Sequence, residues 1–136
     1  MEIIKIYADG ACRGNQFKDN VGAIGVVLLY GNKEKHIKEA FKNTTNNKME
    51  ILSVIKGLQE LKRYDIPVEV YSDSSYVVST MNLGWKRKVN LDLWQELDDL
   101  IKKFMKITFI KVKGHSSNVD NNKADLLCNE AMDNLN

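Results

Sequence analysis

The chain has 136 residues, of which 43% are hydrophobic and 28% charged, with one proline and a formal charge of +2. A chain of this length buries roughly 70% of its unfolded surface around one core, so the composition excludes a disordered, collagen-like or linker-dominated protein. A net charge so small neither requires a polyanionic partner nor forbids one.

In chain order, Met1-Glu2-Ile3-Ile4-Lys5 opens on an acid and breaks its apolar run at Lys5, unlike a secretory signal. Residues 3–8 are β-rich and run into the turn signal Asp9-Gly10. Residues 22–30 form a β-branched run ending at Gly31-Asn32, and residues 35–41 alternate. These three segments predict an antiparallel meander. The apolar stretch 21–30 is far short of the ~20 residues that span a bilayer, so no membrane partner is expected.

After Asn46-Asn47 the period changes. Ile51, Ile55, Leu58 and Leu61 mark an amphipathic helix. Pro67 closes a loop, residues 68–72 read as a strand, and residues 74–82 as a short helix starting where that strand stops. Leu93, Leu97, Leu100, Ile101 and Phe104 predict a helix from about Leu91. Residues 107–112 read as a strand, Lys113-Gly114-His115 as a turn, and residues 122–135 as a final helix. The order β-β-β-α-β-α-α-β-α predicts an α/β fold, a five-stranded mixed sheet flanked by helices, with the later strands parallel to the first. No repeat or linker divides it, so residues 1–136 are expected to form one domain.

Charge is unevenly spread. From Trp85 to Lys113 there are eight Lys/Arg against four Asp/Glu, whereas the stretch from Ala124 onward has three acids and no base. The first segment suits a phosphate-binding face, although a solvated helix surface has the same composition. Cys12 and Cys128 stand far apart, with no CxxC pair, which points away from zinc and disulfides and toward a reducing cytoplasm.

Asp9 and Asp73 each follow directly on a predicted strand, Glu50 lies in the first turn of the first helix, and Asp125 lies in the first turns of the last. Each acid alone has a plain reading as a turn, capping or first-turn residue. Parallel neighbouring strands would instead bring all four to one sheet edge, where packed carboxylates repel unless protons or a cation neutralise them. An all-oxygen donor set selects a hard ion such as Mg²⁺ or Mn²⁺.

Five blocks then carry a resemblance: Ile6-Tyr7-Ala8-Asp9-Gly10-Ala11-Cys12-Arg13-Gly14-Asn15, Thr45-Asn46-Asn47-Lys48-Met49-Glu50, Tyr71-Ser72-Asp73-Ser74-Ser75-Tyr76-Val77, Val112-Lys113-Gly114-His115, and Asn122-Lys123-Ala124-Asp125. In this order they resemble type 1 ribonuclease H over nearly the whole chain. The resemblance implies the ribonuclease H-like fold and an endonuclease cutting the RNA strand of RNA·DNA hybrids, leaving 5′-phosphate and 3′-hydroxyl ends. It implies that Asp9 bridges two Mg²⁺ ions, with Mn²⁺ a possible substitute, that Glu50 and Asp73 complete one site, and that Asp125 helps hold the other. Two cations ~4 Å apart suit in-line attack at phosphorus.

The resemblance further makes His115 a proton-transfer or product-release residue, where an exposed loop histidine is otherwise an ordinary solvated side chain. It places Asn15, Asn46 and Asn47 in the minor groove, with helix capping as the alternative for the last two. Thr45 and Lys48 would grip a DNA phosphate, and Ser75 would reach the groove. Trp85, with Lys86, Arg87 and Lys88, would touch the DNA strand, or Trp85 would anchor the core.

The chain departs from the family pattern in four places. Gln16-Phe17-Lys18-Asp19-Asn20 replaces a common proline turn, and Ser75 stands where glutamine is common. Lys48 replaces a frequent arginine, and the short interval before Trp94 leaves no room for a long basic handle. The compact length and Met1 favour a free protein, and nothing in the pattern requires a dimer, so a monomer is expected. The alternatives are a catalytically inactive binding module of this fold and a metal nuclease acting on duplex RNA or DNA junctions.

Overall fold

A computed structural model describes residues 2–14, 20–114 and 117–135. Nine elements follow in the expected order: β1 (Ile4–Arg13), β2 (Val21–Tyr30), β3 (Lys33–Lys42), α1 (Asn46–Gln59), β4 (Val68–Ser72), α2 (Ser75–Leu83), α3 (Leu91–Ile101), β5 (Ile107–Lys111) and α4 (Val119–Leu135). The sheet order is β3-β2-β1-β4-β5. The first three strands pair antiparallel, and β4 joins β1, and β5 joins β4, in parallel.

Alternation along the strands divides the core between two layers. Ile4, Ile6 and Ala8 of β1 and Val26 of β2 pack with Ile51, Ile55 and Leu58 of α1, Val70 of β4 and Trp94 of α3. On the opposite face Tyr7 and Val27 pack with Ala124 and Leu127 of α4, and Ala23 with Cys128 and Met132. Among the described residues no helix is long and apolar enough to cross a membrane.

The Asp9-Gly10 turn signal is overridden. The strand runs through it to Arg13, with Asp9 opposite Gly25 and Gly10 opposite Ile24. Glycine serves here because α1 lies directly on the strand: a Cβ on Gly10 would fall 2.3 Å from the Met49 carbonyl carbon and 2.4 Å from the Glu50 nitrogen. Across the ladder, a Cβ on Gly25 would fall 2.1 Å from the Ala124 carbonyl oxygen of α4.

The cap of α1 is Thr45 rather than either asparagine; its Oγ1 accepts from the Lys48 amide at 3.2 Å. Asn46 and Asn47 are thus the first helical residues, and Glu50 sits in the second turn, not the first. Thr45→Ala is expected to cost about 1 kcal/mol in urea denaturation, the usual value of such a cap. The helix α3 ends at Ile101, three residues before the predicted pattern does. Phe104 joins the core from the following turn, edge-on to Tyr64 at 5.0 Å.

Candidate active site

Parallel pairing of Tyr7 with Tyr71 carries β1 and β4 forward in step, so Asp9 and Asp73 lie two residues beyond a matched pair. The Tyr7 and Tyr71 rings stack at 4.5 Å on the face that carries α4, one period of alternation before the two aspartates. Asp9 is only 8% exposed, and Asp73 is half-buried. The bend holding Asp73 is locked by serines: Ser74 N–H donates to Ser72 Oγ, and the Val77 amide donates to Ser74 Oγ, capping α2.

Glu50 reaches the same edge from α1. Its Oε1 accepts from Asn46 Nδ2 at 2.7 Å, and its Oε2 accepts from the Ser74 hydroxyl. Asp125 arrives from the second turn of α4, with Asn129 Nδ2 donating to its carbonyl oxygen at 3.1 Å and to Oδ2 at 3.4 Å. Behind Asp9, the buried Cys128 thiol donates to the Asp9 carbonyl oxygen at 3.2 Å. The turn after β5 closes against Asp73: a Cβ on Gly114 would come within 3.0 Å of Asp73 Oδ2.

This packing has an electrostatic cost. Burial first, then the charges of Asp73 and Asp125, push the Asp9 carboxyl up to about 8 from an ordinary 3.8. Burial also raises Glu50, with Asp73 adding to the effect and the Ser74 and Asn46 hydrogen bonds opposing it. Burial, then the three aspartates, raise the Cys128 thiol. Among the described residues no group of three or more His, Cys, Asp or Glu side chains stands, as placed, where it could hold a metal ion. The four acids instead make an open, repelling cluster of oxygen donors. Such a donor set suits a hard divalent ion, which would offset the burial and the repulsion that otherwise hold a proton on Asp9.

Around the cluster, Thr45, Asn46, Asn47 and Lys48 are exposed on the leading turn of α1, and Ser75 is exposed at the start of α2. A cavity of about 260 Å³ lies beside them, lined by Cys12, Gly14, Asn20, Thr44, Thr45 and Asn46. Trp85 is 49% exposed, so it is not the core anchor; that place belongs to Trp94. Asn15 and His115 lie outside the described residues. A larger cavity, about 620 Å³, opens at the opposite end of the sheet beside Ile4, Leu28, Leu61 and Ile66, away from the acids.

Sequence reasoning missed three neighbours of the cluster. Ser74 carried a readable signal, a serine just before a helix, but not its bond to Glu50. Cys128 stands three residues after Asp125, on a neighbouring face of α4, with no other mark. Asn20 carried none, yet its carboxamide bonds both backbone groups of Thr44, at 2.8 and 2.9 Å.

The family model described as RNase H matches residues 1–133. A protein named ribonuclease H from Clostridium botulinum (strain Hall) is 47% identical over 150 aligned positions, covering 100% of this chain and 99% of that one. Another of that name, from Chlorobaculum parvum, is 43% identical over 143 positions, covering 95% and 94%. The crystal structure of LC11-RNase H1 in complex with an RNA/DNA hybrid matches with a TM-score of 0.83 at 27% identity, covering 97% of this chain and 98% of that one.

Proposed function

Since the chain belongs to the RNase H family and is a ribonuclease H enzyme, we propose that it cuts the RNA strand of RNA·DNA hybrids as an endonuclease, with Asp9, Glu50, Asp73 and Asp125 as ligands for two Mg²⁺ ions. The observation that carries this reading is the buried Asp9, pressed by two other aspartates at the shared edge of β1 and β4. Such ions, when bound, supply activation of water and charge neutralisation at phosphorus.

The protein's own residues do the rest. Asn46 and Ser74 orient both oxygens of Glu50, fixing its rotamer before substrate arrives. Thr45, which lines the small cavity, and the exposed Lys48 are suited to a DNA phosphate, while Asn15, Asn46, Asn47 and Ser75 supply short polar groups to the minor groove. Trp85 with Lys86 and Lys88 meets the DNA strand. His115 moves a proton or helps release product. We read residues 1–136 as one domain acting as a monomer. Cys12 and Cys128 are free thiols, which suits the reducing cytoplasm.

Ser74→Ala is expected to lower stability by about 1 kcal/mol through the lost cap and to slow cleavage about tenfold through a loosened Glu50. Denaturation and single-turnover rates read the two effects separately. The decisive experiment compares an RNA·DNA hybrid, duplex RNA and duplex DNA, each with Mg²⁺, Mn²⁺ or EDTA. Metal-dependent cuts in the RNA of the hybrid are expected. A shifted band without cleavage would instead indicate a binding module, and preference for duplex DNA would overturn the assignment.

A further inference from the structure

The connection Gly84–Asn90 between α2 and α3 contains the basic run Lys86-Arg87-Lys88, and the structure divides that run. Both ends of the connection take left-handed backbone, Gly84 at φ 67° and Asn90 at φ 57°, so the chain bends sharply into and out of it. Between the bends Arg87 turns inward. Its Nη1 and Nη2 donate to the two carboxylate oxygens of Asp98 at 2.5 and 3.1 Å. Its guanidinium carbon stands 5.1 Å from the centroid of the buried Trp94 ring, and Nη2 approaches Met81 Sδ at 3.7 Å. Lys86 and Lys88, on either side, are exposed, as is Trp85.

The far end of the connection is tied to the active-site edge. Asn90 Nδ2 and Trp94 Nε1 both reach Tyr76 Oη, at 3.3 and 3.2 Å, and Tyr76 follows Asp73 by three residues. A forked cation held by a carboxylate and a ring face is a directional anchor that a lysine cannot reproduce. A connection anchored in this way loses little conformational freedom when a ligand settles on it.

We propose that Arg87 is a positioning residue: pinned between Asp98 and Trp94, it holds Gly84–Asn90 so that Trp85, Lys86 and Lys88 face the DNA strand of the hybrid. This rests on the reading of the chain as a hybrid-cleaving enzyme. It separates Arg87 from the phosphate contacts with which the sequence groups it, and it makes Asp98, an acid, favourable to binding a polyanion.

The test is steady-state cleavage of a short RNA·DNA hybrid with Mg²⁺ at low and moderate salt, by the wild type, K86A/K88A, R87K and D98N. K86A/K88A is expected to raise KM about tenfold and to flatten its salt dependence. R87K, which keeps the charge but loses the fork and the stack, is expected to raise KM about fivefold with kcat within twofold. D98N is expected to raise KM about threefold, although it removes a negative charge. A phosphate contact predicts the opposite, because D98N would free the guanidinium and lower KM while R87K would stay near wild type; either result overturns the proposal. An unchanged KM in K86A/K88A, with cleavage intact, removes the DNA-facing surface and the proposal with it. Absence of cleavage by the wild type would fault the underlying enzyme reading itself, and the proposal would fall too. Near-normal kcat shows that R87K and D98N remain folded.

Discussion

Asp9→Asn is expected to abolish metal-dependent cleavage, by about 10³-fold or more, and at the same time to make the metal-free protein more stable. On the proposed reading the loss follows from removing a carboxylate that would hold the catalytic cations, the one whose charge is coupled to both Asp73 and Asp125. The gain follows from proton linkage. With a folded value of about 8 against an ordinary 3.8, native Asp9 retains a proton that the unfolded chain has already released. The Asp9 contribution to stability therefore falls as pH rises from about 4 to about 8, by at most ~1.4 kcal/mol per unit, and is constant outside that window. An asparagine carries no such penalty, so the variant's advantage is nil near pH 4 and greatest at pH 8. Thermal denaturation in EDTA should show the wild-type Tm declining across that range while the Asn variant declines less. Adding Mg²⁺ should then raise the wild-type Tm at pH 8 and leave the variant nearly unmoved. Asp73→Asn should likewise retain the fold and lose cleavage. A wild-type Tm that climbs from pH 5 to pH 8, or cleavage by either variant within tenfold of normal, contradicts the assignment of these side chains to a cation site.

Gly10→Ala is the second large effect, expected to cost about 3 kcal/mol and most of the activity. The added methyl would meet main chain, the Met49 carbonyl group and the Glu50 nitrogen, rather than the tip of a flexible side chain. The helix cannot easily retreat, because Ile51, Val54 and Ile55 immediately after the contact are wholly buried. Relief must come from a shift of α1 relative to β1, which displaces Glu50 from Asp9. Urea denaturation and hybrid cleavage should fall together, and a variant of wild-type stability would show that the helix does not rest on the strand.

Much of this architecture is legible in the amino acids because period-two and period-3.6 patterns report directly which faces are buried. Residues 68–72 and the start of a helix at Leu91 are cases where sequence and structure coincide. The failures share one cause, that a residue's local habit yields to a contact made elsewhere. Asp9-Gly10 has turn chemistry, but a helix pressing on the strand needs glycine just as a turn does. Asn46 has capping chemistry, yet Thr45 supplies the cap and Asn46 turns to Glu50. Arg87 sits in a row of solvated bases, and nothing local distinguishes it from Lys86 and Lys88. Its partner Asp98 is eleven residues away, in a helix whose orientation only the fold reveals. The four acids were found through their positions at element ends; that Glu50 lies one turn deeper than expected does not disturb their convergence, because α1 and α4 approach β1 from opposite faces.

That double approach has a mechanical consequence. At Gly10, next to Asp9 on β1, and at Gly25, opposite Asp9 on β2, helix main chain rests on sheet main chain, so at these two points the layers meet at hard stops without intervening side chains. The distances at which α1 brings Glu50 and α4 brings Asp125 up to β1 are thereby gauged by main chain against main chain, with a single hydrogen at each glycine where a side chain would otherwise stand.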